Sequence, residues 1–401
     1  MHTVPAMIRI TRYVVSELMK VFVATLFAMT AFVILAVVGA EAVREGLGVE
    51  AVARLLPYSL PMALRFTVPG TILFACCSVF GRMSASNEIV AIKSLGVSPM
   101  AVIRPALILA IIVSCLAVWV NDVAVSWGTA GVHRVILQSI EQIVYGRLRT
   151  QRSYSNQRGL AIQVKDVDGD RLIRPTLSYQ PNDGSRPVSI TADEAQMKLN
   201  ADNSALVVVF DNMRIDGDKL RGDMPGRFEY EIPLSIAARK GRDMASPSDI
   251  PMSDLRRTVE ETRRDIDDRT TRLAVDAAYQ MASGNFDRLR APHWRPEYQA
   301  IENQHGRLNR LHMEPWRRWA AGFSCLFFAM VGVPLAILLR NADFWTSFGA
   351  CFLPILILYY PLFMAGMDRA KAGAVPPFAV WAGNIVLLVV GTFLLRRVLR
   401  H

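Results

Sequence analysis

The chain has 401 residues, 52% of them hydrophobic, and a formal net charge of +10. Its apolar residues gather towards the two ends and leave a polar middle, which excludes an ordinary water-soluble globule. The basic excess flanks the apolar runs, so it reads as membrane flanking and not as a nucleic-acid surface.

In chain order, a basic start with Arg9, Arg12 and Lys20 leads into an uncharged run at 21–40. A bilayer crossing needs about 20 apolar residues. This run has that length, and no small-residue cleavage site follows a short apolar core, so no cleavable signal peptide is expected. A second run, 58–80, is interrupted only by Arg65. A third, 106–120, extends through milder residues to about 127.

Between the second and third runs lies GRMSASNEIVAIKSLGVSPM, residues 81–100. It is too polar to cross a bilayer and is patterned as a short helix. Ser84 or Ser86 is positioned to cap it, Glu88 falls in its first turn where the helix dipole favours a carboxylate, and Gly96 is placed to end it after about three turns. Ile89 and Ile92 share one face and Leu95 continues it. On these residues alone the helix fits equally an interfacial position on lipid headgroups and a docking role. Glu88 favours docking, since a carboxylate on a short apolar helix invites a partner's arginine.

Residues 128–250 read as strands: LAIQVKDV, DRLIRPTLSY, PVSITADEAQMKL, ALVVVFDNMRI and RFEYEIPL, separated by Asp, Asn and Gly clusters. The continuous apolar run in ALVVVFDNMRI suits a strand covered on both faces. The block is expected to be an all-β sandwich or jellyroll-like domain. From Ser253 the chain turns rich in Arg, Asp and Glu. Ser253 or Asp254 is the expected cap of a helix braced by pairs such as Glu260–Arg263 and Glu260–Arg264. Pro292 and Pro296 break the pattern, and a second helix is expected over 297–312. Three more apolar runs follow, at 319–339, 344–367 and 376–395.

The expected fold class is therefore a membrane α-helical protein of six transmembrane helices, with an inserted extracytoplasmic all-β jellyroll-like domain and a helical extension. Its divisions are an N-terminal membrane half (1–127), the β domain (128–250), a charged helical hairpin (251–314) and a C-terminal membrane half (315–401). Arg9, Arg12 and Lys20, the 81–104 loop with Arg82, Lys93 and Arg104, and the terminal RRVLRH all fall on one side of six spans. That side is expected to be cytoplasmic, although Arg369 and Lys371 on the other side run against the trend. Cys76, Cys77, Cys115, Cys325 and Cys351 all lie in apolar runs, with no disulfide framework or zinc spacing. No phosphate-binding loop, H-E-x-x-H or G-x-S-x-G occurs, so the chain is not expected to hydrolyse ATP or to be an enzyme. The runner-up reading is a membrane-anchored sensor or scaffold with an external ligand-binding β domain.

Five stretches resemble the LptF/LptG permeases of the lipopolysaccharide exporter: ITRYVVSELMKVF, GRMSASNEIVAIKSLGVSPMAVIRPAL, ITADEAQMKLNADNSALVVVFDNMRIDGD, RRWAAGFSCLFFAMVGVPLAI and VPPFAVWAGNIVLLVVGTFLL. The resemblance implies a multi-pass bacterial inner-membrane protein with cytoplasmic termini and a periplasmic β domain. It implies that the short helix seats in a groove of an LptB-like ATPase dimer, with Glu88 as its acidic residue, Ile89, Ile92 and Leu95 filling the groove, and Gly96 closing the motif. ATP would be bound by that partner, and no cofactor by this chain. An LptF/LptG paralogue would pair alongside, with spans one and five of each forming a gate. Lipopolysaccharide or a related lipid would pass through the β domain to LptC/LptA-like jellyroll proteins. The N-terminal stretch would lie on the inner membrane surface with Ile10, Val14 and Leu18 facing lipid. Arg44, Arg65, Arg317 and Arg318 are the candidates for attracting a phosphorylated headgroup. The charged segment 253–312 is longer than the family's usual return to the membrane.

Overall fold

A computed structural model of the chain describes residues 3–45, 49–129, 131–132, 148, 152–155, 160–179, 188–200, 205–216, 221–233, 246–289, 291–339 and 344–400. It divides into two compact units, one of Met1–Val33, Leu60–Trp127 and Ser246–His401, the other of Ile34–Ser59 and Gly128–Ala245. The loop bearing Arg340 and Asp343 lies outside the described residues.

Helices α1 (Thr3–Glu45), α2 (Val49–Ala85), α3 (Glu88–Ser94) and α4 (Met100–Val123) precede the strands. After them come α5 (Met252–Ala282), α6 (Ala291–Leu338), α7 (Phe344–Pro354), α8 (Tyr360–Lys371) and α9 (Ala382–Arg400). Among the described residues, six helical stretches are long and apolar enough to cross a membrane: Ile8–Ala40, Val52–Ala85, Met100–Thr129, Trp294–Leu338, Trp345–Lys371 and Pro377–Arg400. The six expected spans are all present. The third ends in a π-helical turn, Ala124–Thr129. In the fifth, a π turn over Ile355–Tyr359 joins α7 to α8 directly after Pro354, whose ring removes one rung of the helical ladder.

The second and fourth spans form the centre of the membrane unit, with 61% of their most apolar windows buried, against 17% for the first and 22% for the fifth. Close approach of backbones holds the centre together, as small residues allow between helices in lipid. A Cβ on Gly322 would collide with Val118 of α4, lying 2.9 Å from its backbone nitrogen. One on Gly391 of α9 would lie 3.0 Å from the Met330 carbonyl. Polar side chains tie the same helices. Ser114 Oγ accepts the Leu326 N–H at 3.1 Å, Asn384 Nδ2 donates to Ala320 O at 3.0 Å, and the Thr30 and Thr67 hydroxyls meet at 3.1 Å.

Two expectations about helices are corrected. The N-terminal stretch is no separate interfacial helix, because α1 runs unbroken from Thr3 to Glu45. Val14 and Leu18 are completely buried in the unit's apolar core, with Ile10 packed on it, so these residues do not face lipid. The charged hairpin exists, as α5 followed by α6, but its second arm does not stop near residue 312. Helix α6 continues through Pro296 and Pro315 to Leu338. The division at 314/315 therefore falls inside one rigid helix. The start of α5 is capped by neither Ser253 nor Asp254, its N-cap being Pro251, and ion pairs Arg257–Glu261 and Asp265–Arg269 brace it at (i, i+4) spacing.

Among the described residues the β unit holds nine antiparallel strands: β1 (Ser153–Ser155), β2 (Leu160–Gln163), β3 (Asp166–Asp168), β4 (Arg171–Ile173), β5 (Thr176–Tyr179), β6 (Val188–Thr191), β7 (Glu194–Asn200), β8 (Ala205–Asp216) and β9 (Arg221–Pro233). Their order is β1-β2-β5-β6-β8-β7-β4-β3, with β9 on β8. Three of the expected strands each break once, at Val164–Lys165, at Arg174–Pro175 and at Ala192–Asp193. The breaks lie side by side: Lys165 N–H donates to Ile173 O, Arg174 N–H to Asp193 O, and Asp193 N–H to Asp211 O. Strand β8 crosses the same line at a bulge between Asp211 and Met213. There Asn212 takes φ 54°, a left-handed geometry that asparagine tolerates. Its side chain donates to Asp193 Oδ2 and accepts the Gly226 N–H, both at 3.0 Å. The sheet thus folds along one corner, β8 pairing β7 before it and β6 after it. Ile162, Leu172, Ala195, Val208 and Phe210 form its core with Leu148. Val208, Val209 and Phe210 are all buried, as the continuous apolar run requires of a strand covered on both faces.

Candidate functional site

At one end of the membrane unit, α2 runs to Ala85 and a two-residue turn delivers the chain into α3. The N-cap is Asn87, with φ 60° and no side-chain capping bond, rather than Ser84 or Ser86. Those serines are engaged elsewhere. Ser84 Oγ donates to Ile337 O of α6 at 2.9 Å, and Ser86 Oγ lies 2.9 Å from Arg82 O and 3.0 Å from Glu88 Oε1. Helix α3 has 7 residues, two turns in place of the three expected. Gly96 ends it as the sequence predicts. With φ 77°, its N–H bonds to Lys93 O at 2.9 Å while Val97 N–H bonds to Ile92 O at 3.3 Å, the paired closure that a left-handed glycine permits.

The expected groove-filling side chains divide into two sets. Ile89 is buried and Ile92 packs on the same apolar core, so both complete this chain's own bundle. Leu95 is 80% exposed, and Val90, which the sequence reading passed over, is 46% exposed. Leu95 is the C-cap, where the chain leaves the helical path, so it departs from the face of Ile89 and Ile92. The surface that α3 presents outward is Val90, Leu95 and the half-buried Glu88. Glu88 Oε2 accepts from the Tyr13 hydroxyl of α1 at 3.4 Å. Beside it Glu17, one turn further along α1, forms ion pairs with Arg82 of α2 and with Lys20, the latter at 3.0 Å.

At the other end of the unit the chain returns at Ser246, and four charged side chains meet. Arg318 is 1% exposed. It donates to Asp122 Oδ1 at 3.2 Å, to Ile250 O at 2.5 Å and to Ser248 O at 3.3 Å. Its Nε lies 3.5 Å from Glu314 Oε2 without hydrogen-bond geometry. Asp122 also accepts the Met252 N–H at 2.9 Å. Arg317 grips Glu314 with Nε and Nη2, at 3.1 and 2.7 Å, and Ser248 Oγ donates to the same carboxylate at 3.2 Å. Arg318 is thus engaged within its own chain. Its Nη1 and Nη2 fasten the returning segment to α4 and α6. Arg317 is committed to Glu314. Arg65 is half-buried beside this cluster, within the fields of Arg317, Glu314, Arg318 and Asp249, and its guanidinium stands 5.6 Å from the Phe66 ring. Among the described residues no carboxylate lies within ion-pair distance of it. The side chain of Arg44 lies outside the described residues.

The family model described as "Lipopolysaccharide export system permease LptF/LptG" matches residues 12–397, nearly the whole chain. The chain belongs to the LptF/LptG permease family. A comparison with curated proteins finds no match. An LptF/LptG permease is a multi-pass membrane transport protein of lipopolysaccharide export and not a hydrolase, which fits six apolar helices around a strand-rich insert.

In this permease the two clusters stand at opposite ends of the same helices, since α4 begins beside α3 and ends at Asp122. Sequence reading missed Tyr13, Glu17 and Glu314. For Glu314 a signal existed: a glutamate three and four residues before a pair of arginines, at the spacing that places them on one helix face. For Tyr13 and Glu17 the signal was a lone tyrosine and a lone carboxylate one turn apart on an otherwise apolar face.

Proposed function

We propose that this permease is the transmembrane subunit of an ATP-driven lipid exporter, moved by an LptB-like ATPase that docks on α3. The observation that carries this reading is the outward surface of α3, where Val90 and Leu95 flank a carboxylate that its own chain already holds in place. A partner arginine facing Glu88 would make a charge-assisted pair against an apolar floor. This end carries Arg9, Arg12, Lys20, Arg82, Lys93, Arg104, Arg396, Arg397 and Arg400, which supports its placement in the cytoplasm with both termini. The bilayer is then the bacterial inner membrane, and the insert lies in the periplasm.

The lipid needs both an energy source and a shelter, because drawing acyl chains out of a bilayer exposes apolar surface at about 25 cal/mol per Å². Spans one and five, with most of their apolar surface uncovered, suit a gate lined by lipid and by an LptF/LptG paralogue. Arg65 is the best placed of the four candidate arginines to attract a phosphorylated headgroup, because it alone among the described ones has no carboxylate partner. Strand β9, hydrogen-bonded to β8 along one edge, offers its other edge to an LptC/LptA-like jellyroll by strand addition.

The test is Glu88→Ala and Glu88→Lys in the permease co-expressed with its paralogue and the ATPase. Loss of most of the co-purifying ATPase is the expected result, with Lys the more damaging. Full retention of the ATPase and of its lipid-stimulated hydrolysis in both variants overturns the docking reading and leaves a sensor or scaffold in its place.

A further inference from the structure

The corner where α1, α2 and α3 meet is built as a joint. We propose that Tyr13, Glu17 and Arg82 carry movement of α3 into the first span, Tyr13 through its bond to the Glu88 carboxylate and Arg82 through its pair with Glu17. This rests on the reading that α3 is the docking site.

Each oxygen of Glu88 is held by a different element, Oε1 by Ser86 in the turn and Oε2 by Tyr13 of α1. A carboxylate offers about four acceptor positions, so both contacts leave room for a partner's guanidinium. A pull on Glu88 from outside is therefore a pull on α1. Arg82, in the last turn of α2, adds a second grip on α1 through Glu17. Tyr13 and Glu17 are four residues apart and share a helix face. Next to that face Val14 and Leu18 are fully buried in the same apolar core as Ile89. Beyond this base α1 has few attachments. From Val23 to Val33, Thr30 alone is buried, through its contact with Thr67. A helical stretch gripped at Tyr13 and Glu17 and largely uncovered over the next three turns is a lever. Tyr13 and Arg82 are positioning residues in this scheme, because they touch neither the nucleotide nor the lipid.

The experiment uses the whole complex, permease with paralogue, ATPase and jellyroll partners, in vesicles loaded with lipopolysaccharide. The variants are Tyr13→Phe, Glu17→Gln and the exchanged pair Glu17→Arg with Arg82→Glu. Three quantities are read: ATPase retained per permease, ATP hydrolysed, and lipid delivered per ATP. With the joint as described, the two single variants keep their ATPase and hydrolyse ATP at near the parental rate. Lipid delivered per ATP falls about fivefold or more, the scale of one lost charge-assisted hydrogen bond. The exchanged pair recovers most of that loss. Unchanged delivery per ATP in both single variants overturns the joint. So does a fall matched by equal loss of bound ATPase or of thermal stability, which marks a merely structural role. If Glu88→Ala in the same vesicles retains the ATPase fully, the docking reading itself fails and the joint with it.

Discussion

A guanidinium almost wholly withdrawn from solvent needs hydrogen-bond acceptors and its charge balanced. Arg318 meets this with one carboxylate at hydrogen-bonding distance, a second within ion-pair reach, and two backbone carbonyls from the segment that brings the chain back to the membrane unit. Removing it takes the arginine from Asp122 and the donor from the Ser248 and Ile250 carbonyls, while Glu314 keeps Arg317 and Ser248. Arg318→Ala is expected to cost about 1–3 kcal/mol, the scale of leaving buried acceptors unsatisfied, read as a lowered thermal midpoint in detergent. Arg317→Ala should cost much less, because Glu314 keeps Ser248 and Arg318. Equal midpoints for the two variants would contradict this assignment. The Glu314–Arg317–Arg318 spacing was readable in the sequence. The carbonyls of Ser248 and Ile250 were not, because a backbone acceptor leaves no mark on residue identity. Arg65 shows the converse. The sequence marked it as one charge in an apolar run, and it is the candidate arginine left without a carboxylate among the described residues.

Among the elements, the existence of strands and spans was legible and their interruptions were not. Alternating apolar residues and Asp–Gly turns marked the β block, yet the breaks at 164–165, 174–175 and 192–193 follow from hydrogen bonds made across the sheet to one another. Pro175 and the left-handed Arg174 and Asn212 are local signs of that corner. Helix α6 fails the reading for a related reason. Pro315 ordinarily breaks a helix, but here the ion pairs of Glu314 with the next turn and the packing of α4 carry the helix across it. At the corner, Arg214 bonds Asp223 across β8 and β9 at 2.6 Å, holding that carboxyl below the usual aspartate range. A carboxyl with a depressed folded-state pKa stabilises the pairing above its unfolded value, and the contribution is lost as pH falls through the folded value. The pair is exposed, so the effect is local and salt-sensitive. Amide exchange across residues 222–228 in the full chain is expected to quicken as pH drops below about 4, beyond the intrinsic change of exchange with pH. Asp223→Asn should remove that extra acid dependence. An identical acid response in the variant would show that the pair contributes nothing to the β9 edge.

For the whole molecule, the order of spans, strand-rich insert, charged hairpin and spans was visible in the distribution of apolar residues. What could not be read was which helices form the centre of the membrane unit. Hydropathy ranks the first span highest, with a mean hydropathy of 2.7, yet it is the least buried, and the second, at 1.6, is among the most buried. Apolarity reports contact with lipid as well as with protein, and only close-packed small residues such as Gly322 and Gly391 separate the two. The same arrangement gives the permease a fixed centre with an uncovered first span, and puts α3 where a push from one side reaches that span's base. The most direct test of this scheme is a photo-activated cross-linking residue at Leu95, in membranes holding the permease, its paralogue and the ATPase, with Phe27 of the first span as the comparison site. The expected result is an adduct between position 95 and the ATPase, absent at position 27. Adducts from position 95 with lipid alone would place α3 against the bilayer and contradict the docking of a motor there.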